Sequence, residues 1–237
     1  MTAQARTELT LSMRRGESLL VTLAIPLGIL IFFARVDSLS EVSEPIDFLV
    51  PGVLALAVMS TAMVSLGINT GYERHYGVLK RLGVTPLSRA GLLTAKTLQV
   101  LVVEIVQSIL IVLTGWALGW ELTPMLLPAF LVLLVGTLAF AGIGLALAGS
   151  LRAEVNLAVS NGLFLVLLFL GGMAYPLDKL PGAFEAVARI LPGAALAETV
   201  RGVLDTSASF PTGEALVLVA WAVAAPVVAV RIFRWEE

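Results

Sequence analysis

The chain has 237 residues, of which 58% are hydrophobic and only 14% charged, with a formal net charge of −2 and no cysteine. A soluble domain carries about 25% charged residues, so this chain has too little charge to cover a water-facing globule, and it lacks the basic excess that nucleic-acid binding requires. Without Cys, and with His75 as its single histidine, it holds no disulfide, thiolate nucleophile or Cys/His metal cluster.

A helix crossing about 30 Å of hydrocarbon needs about 20 mostly apolar residues to satisfy its own backbone. Reading the chain from one charge to the next predicts an all-α integral membrane protein with six such spans, at residues 17–35, 48–72, 97–120, 126–151, 155–177 and 213–233. Pro124 and Pro128 hold the start of the fourth span at the interface, and Arg231, Arg234 and Trp235 anchor the end of the last. The first apolar run follows Arg6, Arg14 and Arg15, but it is too long for a signal peptide and has no small-x-small cleavage site. No polar stretch is long enough for a second core, so residues 1–237 form a single membrane domain.

Lys and Arg in short loops set orientation. Of the 15 basic residues, 11 fall on the side of the termini, and ten of the 17 acids fall on the other, which places both termini in the cytoplasm. Leu9, Leu11 and Met13 ahead of Arg14 and Arg15 make residues 2–16 a candidate interfacial helix on the cytoplasmic leaflet.

The longest cytoplasmic loop spans residues 73–96. Val78, Leu79 and Leu82 are spaced to share one side of a short helix, with Lys80 and Arg81 on the other. Gly83 and Thr85-Pro86 stop it, and Ser88 is a plausible N-cap for the helix that becomes span three. An amphipathic helix projecting from the membrane suits a groove on a cytoplasmic partner, while a solvated basic loop that only sets topology fits the same pattern.

Within the spans, Glu104 is a costly carboxylate and by default a functional candidate. It lies roughly 10 Å past Thr97 at 1.5 Å per residue, off the bilayer centre and within reach of the cytoplasmic face. Gln107 and Ser108 continue its face. Thr61, Ser65 and Asn69 repeat every four residues on span two, and Asn156 and Ser160 do so on span five. These residues could line a substrate path or, like Gly142, Gly144, Ala146, Ala148 and Gly149 of span four, let helices approach closely.

The outer segment, residues 178–212, follows Pro176 and is divided by Pro181 and Pro192. Phe184, Val187, Ile190 and Leu191 can share an apolar side in one short helix, and Leu196, Val200 and Val203 in the next. Such half-apolar helices must dip into the interface or cap the bundle. Glu198 and Arg201, spaced i, i+3, make an ordinary surface pair worth about 0.3 kcal/mol.

The run E-R-x-x-G-x-L-x-x-L-x-x-T-P-L-S-R, from Glu73 to Arg89, resembles the signature of ABC-2-type transporter permeases, the membrane subunits of ATP-binding-cassette exporters. The resemblance covers nearly the whole chain. It implies that residues 73–96 hold a coupling helix that docks on an ATPase subunit, seated by Gly77, Val78, Leu79, Leu82, Thr85 and Pro86 with Glu73 and Arg74 at its root. Val78 departs from the Thr common there, and Lys80 from a polar or acidic residue. The family also implies that the Pro-bounded outer pair, with Glu198 and Arg201, forms re-entrant helices closing the outer mouth. It further implies two ATPase subunits that bind ATP and Mg, a second permease chain as homodimer or heterodimer, and a plasma membrane, prokaryotic setting.

No G-x-x-x-x-G-K-[ST] occurs, so this chain cannot cradle ATP by that route and carries no catalytic site or cofactor of its own. The few charges in the spans, and the likeness of T-P-L-S-R to daunorubicin-resistance permeases, favour a hydrophobic or amphipathic cargo: a drug, natural product or lipid. An ATP-independent transporter or channel, or a non-transporting scaffold, is the alternative expectation.

Overall fold

A computed structural model describes residues 16–35, 45–83, 88–173, 176–205 and 209–235. The candidate interfacial helix over residues 2–16 falls, except for Gly16, outside the described residues, as do Thr85 and Pro86. Every described element is helical: α1 (Gly16–Arg35), α2 (Pro45–Val58), a π segment (Met59–Ser65), α3 (Leu66–His75), α4 (Val78–Gly83), α5 (Arg89–Ala117), α6 (Leu126–Ser150), α7 (Ala153–Leu170), a 3-10 turn (Leu177–Lys179), α8 (Gly182–Arg189), α9 (Pro192–Leu204) and α10 (Thr212–Ile232). Among the described residues, five helices are long and apolar enough to cross a membrane: Ile46–His75, α5, α6, α7 and α10. The 20 residues of α1 coincide with the expected first span.

Three boundaries differ from the sequence expectation. The second span, expected over residues 48–72, runs unbroken through α2, the π segment and α3, and is the most buried of the five. The third begins at Arg89 rather than 97, because Ser88 caps it by accepting from the Gly91 N–H at 3.1 Å; much of the expected loop over residues 73–96 is therefore helical. The fifth, expected to reach 177, stops at Leu170, where Gly171 and Gly172 follow and Gly172 takes φ +64°, a left-handed conformation that suits glycine.

The bundle is organised around α6. Its glycines each admit a different neighbour: a Cβ at Gly136 would meet Leu196 of α9 at 2.6 Å, one at Gly142 would meet Pro226 of α10 at 2.5 Å, and one at Gly144 would meet the Met63 Cα at 3.0 Å. At its last turn, Gly149 takes the ring of Phe233, which is fully buried. Helices in lipid gain no hydrophobic drive from meeting each other, so close backbone approach through small residues supplies the packing. That confirms the packing reading of the span-four glycines. Large apolar side chains instead coat the outside, as with Leu98, Val102, Ile105, Ile109, Leu113 and Trp116 along α5, the distribution a lipid solvent selects.

Candidate functional site

At the charged end of the bundle, α3 stops where Gly77 adopts φ +70°, with its N–H donating to Arg74 O at 3.0 Å. That left-handed residue turns the chain into α4. Leu79 is fully buried and Leu82 packs against the core, whereas Tyr76 (71% exposed), Val78 (43%), Lys80 and Arg81 face outward. The expected grouping of Val78 with Leu79 and Leu82 is therefore corrected. Consecutive helical residues point about 100° apart, and the bundle takes Leu79, so Val78 turns outward. The surface offered by α4 is a basic one edged by Tyr76 and Val78, and the leucines are its anchor.

The root beneath α4 is tied on two sides. Lys96, 2% exposed on α5, donates to Glu73 at 2.6 Å, and Arg74 Nη2 donates to Leu151 O just beyond α6 at 2.5 Å. The end of α3, the start of α5 and the end of α6 are thereby joined where α4 begins. Tyr72 and Tyr76 stack at 6.2 Å on the same turn.

In the middle of the bundle the expected polar residues separate into two groups. Thr61, in the π segment, donates to Gln107 Oε1 on α5 at 2.9 Å, and Thr137 on α6 donates to Glu104 Oε2 at 2.5 Å. All four are buried, Glu104 at 4% exposure, so the expectation that Glu104 reaches water is not met within this chain. Because α5 begins at Arg89, Glu104 sits near the middle of a 29-residue helix. Its Oε1 has no hydrogen-bond partner among the described residues. Ser65 and Asn69 leave this group: Asn69 is exposed and donates to Ser65 Oγ at 3.4 Å. A π segment carries one extra residue per turn and often marks a functional position, and here it aims Thr61 at α5. Ser108 is half-buried beside the group.

The second group is structural. Asn156 Nδ2 donates to Gly67 O at 2.9 Å and Ser160 Oγ to Asn156 Oδ1 at 3.2 Å, which fastens α7 to α3. Thr137 was missed in the sequence, although a hydroxyl beside Gly136 in an otherwise apolar span was the available signal.

At the acidic end, Pro181 precedes α8, Pro192 opens α9, and Pro176 precedes the 3-10 turn. Phe184 and Val187 of α8, and Ile190 just after it, are all about half exposed or more, whereas Leu196 and Val200 of α9 are fully buried against the bundle. The paired carboxylates of Glu185 and Glu214 bond Arg189 at 2.8 and 2.9 Å, and the hydrogen bonds to Glu185 contribute most to raising the guanidinium pKa further above its usual value. Arg201 is more than a surface partner of Glu198. It bonds that carboxylate, donates to Gly172 O at 2.9 Å and lies 4.1 Å over the Phe48 ring, so it ties α9 to the end of α7 and the start of α2. Only a planar fork serves all three. Arg201→Lys is expected to lower the melting midpoint nearly as much as Arg201→Ala, with about 1–2 kcal/mol lost in either case; a thermal series on purified protein checks this, and full rescue by Lys would refute it.

Comparison with known proteins then supplies a family. Residues 3–204 match the family model described as ABC-2 type transporter. The Bacillus subtilis (strain 168) protein named "Putative transport permease YvfS" is 25% identical over 208 residues, covering 84% of this chain and 84% of that protein.

Proposed function

The chain belongs to the ABC-2 type transporter family, a membrane transport component rather than a catalytic subunit, and from that premise we propose that it is the permease of an ATP-driven exporter. Six spans, with α1 as the first, cross the plasma membrane of a prokaryote, and both termini are cytoplasmic, as the basic bias of that side supports. Two separate ATPase subunits bind ATP and Mg, and a second permease chain, identical or related, completes the path. The cargo is hydrophobic or amphipathic, a reading supported by the low share of charged residues in the spans, where Thr61 bonds Gln107 and Thr137 bonds Glu104.

The observation that carries this reading is the division of α4. Leu79 and Leu82 hold it to the bundle, and Tyr76, Val78, Lys80 and Arg81 stay exposed on a short helix fixed by Gly77 and by the Glu73–Lys96 pair. A helix docked by one side and bare on the other transmits a push from whatever binds the bare side into α3 and α5. Movement there reaches the outer helices through the continuous span, whose first turn carries Phe48, over which Arg201 lies.

The test co-expresses the chain with an ATPase carrying a Walker A motif that is encoded beside it. Lys80→Glu with Arg81→Glu is expected to reduce retention of that ATPase and cargo-stimulated ATP turnover at least about tenfold, since reversing a complementary charge patch is costly. Both residues are exposed, so the elution profile of the permease should not change. Unchanged retention and turnover would sink the coupling claim, and failure of any such ATPase to co-purify would sink the ATP-driven reading.

A further inference from the structure

Two hollows meet at the charged end of α5 and α10. The first, of about 380 Å³, is lined by Arg89, Ser150, Arg231 and Arg234 with Ile232 and Phe233. The second, of about 210 Å³, is a groove between α5, α6 and α10 whose lining includes Leu93, Thr94, Leu101, Leu138, Gly142 and Pro226. They adjoin along the chain, because Ala90 and Val230, which line the groove, are the neighbours of Arg89 and Arg231, which line the hollow.

The backbone that carries Arg231 and Arg234 is held in place. Phe233 fills the space over Gly149, Arg234 N–H donates to Gly149 O at 3.1 Å, and Trp235 meets the Phe233 ring edge-on at 6.0 Å. The end of α10 is thereby fixed, with Arg231 and Arg234 on either side of a buried plug. None of the three guanidinium groups makes an ion pair among the described residues. Three positive charges around one hollow, with no carboxylate among the described residues that line it, raise its potential and favour an anion.

The groove sets what kind of anion. From Arg89 to Leu101, and from Ser150 to Leu138, is about 18 Å along a helix at 1.5 Å per residue. One leaflet of hydrocarbon is about 15 Å deep. The groove therefore runs from a basic mouth to about the depth of one acyl chain, with Pro226 packed closely against Gly142 in its lining.

We propose that Arg89, Arg231 and Arg234 with the α5/α6/α10 groove form a fixed site for an anionic phospholipid of the cytoplasmic leaflet. The headgroup phosphate sits among the three arginines and Ser150, and one acyl chain lies along Leu93, Thr94, Leu101 and Leu138. The site rests only on this end of the bundle meeting the cytoplasmic leaflet. It needs no ATPase, so its failure leaves the permease reading standing.

The test is native mass spectrometry of the full-length protein in detergent, titrated with phosphatidylglycerol, phosphatidylcholine or glycerol 1-phosphate. Each surface-near Lys or Arg adds severalfold to anionic-lipid affinity, so Arg89→Gln, Arg231→Gln and Arg234→Gln together are expected to weaken phosphatidylglycerol binding on the order of a hundredfold and to erase its preference over phosphatidylcholine. Replacement of all three by Lys should keep most of that preference, and the exposure of all three positions keeps folding intact. Thr94→Trp, at an exposed groove position, should weaken both lipids without removing the headgroup preference. Equal binding of the two lipids by the wild type, or a preference that survives the triple Gln variant, would overturn the proposal. So would glycerol 1-phosphate competing as well as the lipid, which would make the hollow a phosphate site. Loss of a co-purifying ATPase in the triple Gln variant with lipid binding unchanged would assign the arginines to a protein partner instead.

Discussion

Gly144→Leu is expected to yield no folded protein that survives purification, a loss far larger than Gly162→Leu on α7 produces. The two residues are both helical glycines in apolar spans, but their surroundings differ. A Cβ at Gly162 meets nothing within 4 Å, whereas at Gly144 it would lie 3.0 Å from the Met63 Cα and closer still to a Met63 carbonyl. The same crossing puts a Cβ at Gly67 2.9 Å from Gly144 O. The obstacle is backbone on both sides, so no rotamer change relieves it. Overpacking a tight core costs about 1–3 kcal/mol where neighbours can shift; here α6 would have to leave the π segment and α3 together, and the loss should exceed that range. Fluorescence-detected size exclusion of both variants decides it. A monodisperse peak for Gly144→Leu at wild-type yield would show that the crossing is looser than its geometry.

This contrast bears on what the sequence made legible. Charge spacing alone located the long apolar helices to within a few residues at most ends, because a stretch with no Lys, Arg, Asp or Glu has few alternatives to lipid. The exceptions have local causes: a serine cap lengthened α5 at its N-terminal end, and the Gly171-Gly172 pair ended α7 early. The face of α4 was misread because periodicity ranks residues by polarity and says nothing about which side the bundle occupies. With two adjacent apolar residues, Val78 and Leu79, only the packing of Leu79 decided the matter. The polar residues of span two divide by partner: Thr61, in the π segment, is buried and bonds Gln107, while Asn69 is exposed and bonds Ser65. Partner choice across helices, such as Thr137 with Glu104 or Arg201 with Phe48, involves residues 33 positions apart in the first case and a ring from another helix in the second. Nothing in a single sequence brings them together.

The second large effect is expected where α4 meets the bundle. Glu73→Ala should destabilise the protein more than Lys96→Met, although the two residues share a single ion pair. Removing one partner of a buried pair typically costs about 3–5 kcal/mol because a charge is left in a poor environment. The environments here are unequal: Lys96 is 2% exposed and Glu73 is 21% exposed. Losing the carboxylate leaves an ammonium deep among helices, so Glu73→Ala should fall near the lower end of that range, about 3 kcal/mol. Losing the ammonium leaves a carboxylate that still reaches water, and Met fills the space of the Lys stem, so Lys96→Met should cost about 1 kcal/mol. The double variant, with no charge on either side, should recover most of what Glu73→Ala lost, whereas independent effects would add. Melting midpoints of the three variants measure this directly. The order also separates two roles for the root of α4: if the pair only holds the end of α3 to α5, ATP turnover by a complex with the proposed ATPase should follow stability across the series. If it also carries motion from α4, turnover in the double variant should stay low after stability has returned. Equal losses for the two single variants would mean that the site is wetter than its burial implies.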